Sequence, residues 1–104
     1  MSESAENVSS LNGYQVEARR TINRALTDDQ RLLDAAAGLA EEAGEVLSHV
    51  RKHVMQGRTL DRDAVALELG DALWCLSIAA DTLGVSLQDI ARLNIGKLRS
   101  RHPV

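Results

Sequence analysis

From residue 27 onward, hydrophobic positions recur every three or four residues, which is the spacing of one helix face. Thr27-Asp28-Asp29-Gln30 forms a capping box with acids in the first turn, where the helix dipole favours them. Behind it Leu32, Ala36, Leu39, Ala43, Val46 or Leu47, Val50 and Val54 mark a long amphipathic helix. Gly57 stops it, and Arg51, Lys52, His53 and Arg58 suit its C-terminal end. Thr59 or Asp61 caps a third helix that runs to Leu83, with Gly84 as terminator. Its second half is apolar on nearly all sides, which places it in the middle of a bundle. Ser86 with Asp89 opens a fourth helix whose inner face is marked by Ile90, Leu93 and Leu98, and Pro103 forbids much continuation. Upstream, Asn12 with Gln15 reads as another capping box, for a first helix reaching about Leu26. No stretch alternates with period two, so no sheet is expected. The pattern predicts an all-α fold, a four-helix bundle in one domain over 12–104. The Ser-, Glu- and Asn-rich residues 1–11 are expected to be disordered.

Composition changes this picture in three places. The chain has 104 residues, Tyr14 and Trp74 as its only aromatics, and no Phe. Its core must come from Leu, Ala, Val and Ile, and a domain this small buries a modest share of its surface, so oligomerisation is expected to complete the bundle. The formal charge of −3 lacks the concentrated basic stripe of a nucleic-acid-binding surface. The single cysteine, Cys75, excludes an intramolecular disulfide and a cysteine-based zinc site, and its apolar neighbours make it a small core residue. The polar opening residues and the interruption of the longest apolar run by Ser77 and Asp81 predict neither signal peptide nor membrane span, hence a cytoplasmic protein.

The chemistry lies in two acid clusters. Glu41-Glu42-Ala43-Gly44-Glu45 is followed, one helix later, by Glu68-Leu69-Gly70-Asp71. Carboxylates three residues apart share a helix face. The second pair interrupts an apolar run, where an ionised acid is costly unless a cation neutralises it. Acids at this spacing are usually solvated surface, and Arg19, Arg20 or Lys52 would serve as salt-bridge partners for Glu68 and Asp71. Two pairs on consecutive helices, one embedded in apolar sequence, shift the balance towards a site. No Glu-x-x-His motif is present, which argues against a di-iron carboxylate bundle. All-oxygen donors fit Mg²⁺, with Mn²⁺ as a substitute, and Mg²⁺ commonly shares its shell with substrate phosphates.

The ordered set of motifs resembles a known family. Gly38 to Val46, then Glu68 to Trp74, then the tail from Asn94 to Pro103 are similar to the MazG-like all-α nucleoside triphosphate pyrophosphohydrolases. Their pattern is E-E-x-x-E, a spacer, E-x-x-D, and a short tail containing Asn, Lys and Arg before a proline. The resemblance implies hydrolysis between the α and β phosphates, giving a nucleoside monophosphate and pyrophosphate; a small chain with few recognition groups suits either a promiscuous enzyme or a nucleotide-housecleaning one that acts on damaged or non-standard nucleotides. It makes Glu42, Glu45, Glu68 and Asp71 the Mg²⁺ ligands. Glu41, Glu42 and Glu45 are the catalytic acids it implies; for Glu41, a place behind the ligands, a ligand to an additional metal and a water-activating base all stay open. Asn94, Lys97 and Arg101 match tail positions that meet the nucleotide and its phosphates, and Lys52 is a weaker phosphate candidate. The family also implies a homodimer or homotetramer with sites near the subunit interface. Two departures stand out: Cys75 occupies a position where many relatives carry an aromatic, and Trp74 points away from the acid face on a helical wheel. Tyr14, His49 and His53 are left as groups that could meet a base, each equally suited to packing or surface. The competing expectation is a non-catalytic helical nucleotide-binding or interaction module whose acids are solvated.

Overall fold

The computed structural model describes residues 8–103, which form four helices and no strand. They are α1 (Leu11–Arg19), α2 (Asp28–Gln56), α3 (Arg62–Thr82) and α4 (Leu87–Arg101). Residues 1–7 of the segment expected to be disordered lie outside the described residues, while Ser10 and Leu11 begin α1.

Three of the four starts are set by the residues that the sequence marks. Thr27 accepts a hydrogen bond from the Gln30 amide while the Gln30 side chain accepts from the Thr27 amide, closing the capping box of α2. The Asp61 carboxylate accepts from the Ala64 amide, and the Ser86 hydroxyl accepts from the Asp89 amide. Gly57 ends α2 at φ 67°, a left-handed conformation that favours glycine.

The first helix differs from expectation at both ends. Its cap is Ser10, whose hydroxyl accepts from the Gly13 amide at 2.9 Å. Asn12 turns instead to the Gln88 amide, at the start of α4. The helix stops at Arg19, not near Leu26, because side chains offer the backbone other partners. The Thr21 hydroxyl donates to the Ala18 carbonyl, and Asn23 Oδ1 accepts from the Ala25 amide. Arg31 then fastens the connection by donating to the carbonyls of Asn23 and Leu26.

Residues 57–61 turn the chain back, so α2 and α3 pack side by side as an antiparallel hairpin. α1 lies on α3 and also touches α4. As its apolar sequence predicts, α3 is central: Cys75, Ser77, Ile78 and Ala80 are buried on it, and Ala18 on α1, Ala35 on α2 and Leu87 on α4 are buried as well. These are mostly small residues, and they let the helices approach closely.

Gln15 ties α1 to the α3–α4 turn. It is 4% exposed, donates to the Val85 carbonyl at 3.0 Å and accepts from the Leu87 amide at 2.8 Å. Truncating it leaves two backbone groups unpaired in a buried place, at about 1–3 kcal/mol each. Gln15→Ala is therefore expected to lower the unfolding free energy by about 2–4 kcal/mol in a denaturant titration; a loss under about 0.5 kcal/mol would contradict the anchoring role.

Much apolar surface stays uncovered by this chain. Leu33 is 71% exposed, Leu67 and Leu93 are 72%, and Met55 is 75%. The predicted inner face of α4 is a correction: Ile90, Leu93 and Leu98 are exposed, and Leu87 is the buried residue of that helix. The radius of gyration, 16.1 Å, exceeds the roughly 13 Å of a compact domain near this length. The helices are formed, but no other part of the described chain covers these faces.

Candidate functional site

Midway along the hairpin, α2 presents Glu42 and α3 presents Glu68 and Asp71. One oxygen from each lies within 4.8 Å of the others. Helical spacing explains the pair on α3, since residues three apart stand one above the other. The antiparallel packing of α2 brings Glu42 against them. Glu42 and Glu68 are half-buried, and Asp71 is exposed.

Three like charges this close disfavour full ionisation. The Glu42 carboxyl is pushed up to about 7 from an ordinary 4.5. A hydrogen bond shared with Glu68 is the largest cause, followed by burial and then the charges of Glu68, Asp71 and Glu41. Glu42 Oε2 is also buried with no hydrogen-bond partner, one of three such side-chain atoms among the described residues. A buried acceptor without a donor, next to two further carboxylates, fits a cation better than a structural salt bridge does. Arg19 pairs with Asp81, and Arg20 with Glu17. Neither they nor Lys52 forms an ion pair with Glu68 or Asp71 among the described residues. All three donors are hard oxygens, the kind that Mg²⁺ and Mn²⁺ take.

The other named acids lie close by. Glu45 stands one turn further along α2 and is exposed, outside the group of three; Glu41 is exposed beside Glu42, and its charge contributes to the shift there. Lys52 is exposed near the end of α2, where it lines a cleft with His49, Arg58, Thr59 and Asp61. Asn94, Lys97 and Arg101 lie exposed on α4. That helix packs chiefly on α1, so this protomer does not bring them onto the hairpin.

Two further residues are coupled electrostatically to the site or its neighbour Cys75, and spacing alone marks neither. Tyr14, on α1, has its phenol pKa raised by burial and then by the charges of Asp71 and Cys75. Asp34, two turns before Glu42 on α2, is among the charges that raise the Cys75 thiol, after burial, Glu42 and Asp71. Asp34 also lines a neighbouring cleft of about 450 Å³ with Asn23, Leu26, Gln30, Leu33 and Ala37. Cys75 itself is buried one turn after Asp71. It packs so near Gly38 that a Cβ there would lie 2.9 Å from its sulfur. Gly38 thus allows the close approach of α2 and α3 just before the acid motif. Trp74 points away from the acids, and its indole donates to the Thr21 hydroxyl at 2.7 Å.

Among the described residues no helix is long and apolar enough to cross a membrane. The "Gene 37 protein" of Mycobacterium phage L5 is 35% identical over 68 residues, covering 62% of this chain and 60% of that protein. The chain thus spans less than two thirds of that relative's length. No solved structure matches. The family model for the MazG nucleotide pyrophosphohydrolase domain matches residues 30–104, which take in α2 from Gln30 onward, α3, both acid clusters and α4. With that match over most of its length, the chain belongs to the MazG nucleotide pyrophosphohydrolase domain family.

Proposed function

We propose that this chain is a divalent-metal-dependent nucleoside triphosphate pyrophosphohydrolase. It cleaves between the α and β phosphates and releases a nucleoside monophosphate and pyrophosphate. The observation that carries the reading is the convergence of Glu42, Glu68 and Asp71 around the unpartnered Glu42 oxygen.

In this reading Glu42, Glu68 and Asp71 hold Mg²⁺ or Mn²⁺, joined by Glu45 from the next turn of α2. When bound, the cation neutralises charge on the phosphoryl oxygens and makes water a usable nucleophile near neutral pH. Glu41 is an exposed carboxylate next to Glu42, and in this reading it accepts the proton of the attacking water. Lys52, Lys97 and Arg101 offset phosphate charge, and Asn94 meets the nucleotide. An acid cluster alone repels a polyphosphate, so substrate and cation bind together.

The active unit is a homodimer or homotetramer in the cytoplasm. Its support is the uncovered apolar surface of α2, α3 and α4 and the expanded single chain. A second copy that covers those faces also brings α4 residues of one chain towards the acids of another.

The test is a panel of nucleoside triphosphates with Mg²⁺, its products identified by phosphorus NMR. Pyrophosphate and monophosphate are expected, without orthophosphate as the first product. No metal-dependent turnover across the panel would leave the non-catalytic nucleotide-binding module in its place.

A further inference from the structure

The end of the α2–α3 hairpin carries a second polar feature. His49, Lys52, Arg58, Thr59 and Asp61 line a cleft of about 270 Å³. Its basic groups come from both sides of the turn: His49 and Lys52 from the last turns of α2, and Arg58 from the residue after Gly57. The turn is fastened in place. The Arg58 amide donates to the Lys52 carbonyl at 3.3 Å, and His53 Nδ1 donates to the Arg58 carbonyl at 2.6 Å. The Asp61 carboxylate caps α3 through the Ala64 amide. Lys52 and Arg58 form no ion pair among the described residues. Two permanent cations therefore share a concave surface with one carboxylate, Asp61, which is engaged in capping α3 and forms no ion pair with either.

Their position relative to the acids is set by the helix. Glu42, Glu45, His49 and Lys52 recur at three- and four-residue steps and share one face of α2. At ~1.5 Å per residue, the Lys52 backbone lies roughly 15 Å beyond that of Glu42, and His49 roughly 10 Å. Side chains on this helix lean the same way, towards its N-terminus, and the lysine's is the longer, so it shortens part of that distance.

We propose that this cleft is a phosphate subsite, with Lys52 and Arg58 supplying charge and His49 a hydrogen-bonding wall. Lys52 becomes one member of a built group, and Arg58 and His49 join it. Its role in turnover, holding the terminal phosphates and retaining pyrophosphate after cleavage, rests on the function proposed above; its affinity for the anion does not. It is also the basic cluster that this chain places on the acid-bearing hairpin, whereas Lys97 and Arg101 lie on α4.

The experiment has two arms. In the first, metal-free protein is titrated with inorganic pyrophosphate while backbone amide NMR shifts are followed. Shifts are expected across residues 49–61, with Lys52→Ala and Arg58→Ala each weakening binding about tenfold or more. Arg92→Ala removes an equal charge from α4 and should leave binding unchanged. In the second, pyrophosphate inhibition of turnover should weaken by a similar factor in the same two variants. Anion binding at the turn without any turnover would support the subsite while sinking the enzymatic reading. Turnover with unaltered pyrophosphate inhibition and no shifts at 49–61 would overturn the subsite and leave the enzyme standing.

Discussion

Replacing Glu42 by Gln, or Asp71 by Asn, is expected to lower pyrophosphate release by on the order of 10³-fold or more while leaving the helices intact. Both substitutions keep side-chain size and remove one charge from the group of three. Glu42 supplies a buried oxygen with no protein partner, and Asp71 stands beside it on α3. An amide offers a cation one neutral oxygen in place of a charged carboxylate. The loss should appear in the catalytic constant as well as in substrate affinity, because charge builds on the phosphoryl group in the transition state. Circular dichroism and oligomer mass should match the parent protein. Full turnover in both variants would show that these carboxylates are not the metal ligands.

The second large effect is on stability, and its sign reverses with metal. Without metal, the folded Glu42 carboxyl titrates at about 7 and its ordinary value is 4.5. Between those values the folded chain holds a proton that the unfolded chain has released. The stabilisation is fully present below the lower value and is lost as pH rises through the upper one. Glu42→Gln mimics the protonated form at every pH. In chelator, the two proteins should melt at similar temperatures near pH 5, and the parent should melt lower than the variant at pH 8. Added Mg²⁺ or Mn²⁺ at pH 8 should invert that order. A ligand at a hundredfold excess over its Kd adds about 2.7 kcal/mol, or ~10 °C for a domain this small. The same cation should move the variant far less. Parallel melting curves for the two proteins, with and without metal, would remove the acid cluster from the account.

How far the sequence reaches differs from element to element. The caps at Thr27, Asp61 and Ser86 and the stop at Gly57 are local, and short motifs announce them. The end of α1 is not local in that sense. It depends on Thr21, which joins the Ala18 carbonyl to the indole of Trp74, a residue 53 positions away. Gln15 and Asn12 look like a capping pair, yet both turn to the start of α4 or the turn before it. A capping motif and a tertiary anchor use the same polar residues, so spacing cannot separate them.

The apolar stripe of α4 carries a related lesson. Periodicity identifies Ile90, Leu93 and Leu98 as belonging together, but it does not say what covers them. Periodicity likewise sets Glu42 and Glu45 on one face of α2. Which of them meets α3 depends on how the helices pack, and the structure turns Glu42 inward. The charge of Asp71 acts on Tyr14 of α1, and that of Asp34 acts on Cys75 from two turns before Glu42, with no motif to announce either.

The most direct measurement is an anomalous-scattering map of a crystal grown with Mn²⁺. One peak is expected within bonding distance of Glu42, Glu68 and Asp71, with the Glu42 oxygen now engaged. Manganese bound elsewhere, with those three carboxylates left apart and empty, would contradict the claim that they share a cation.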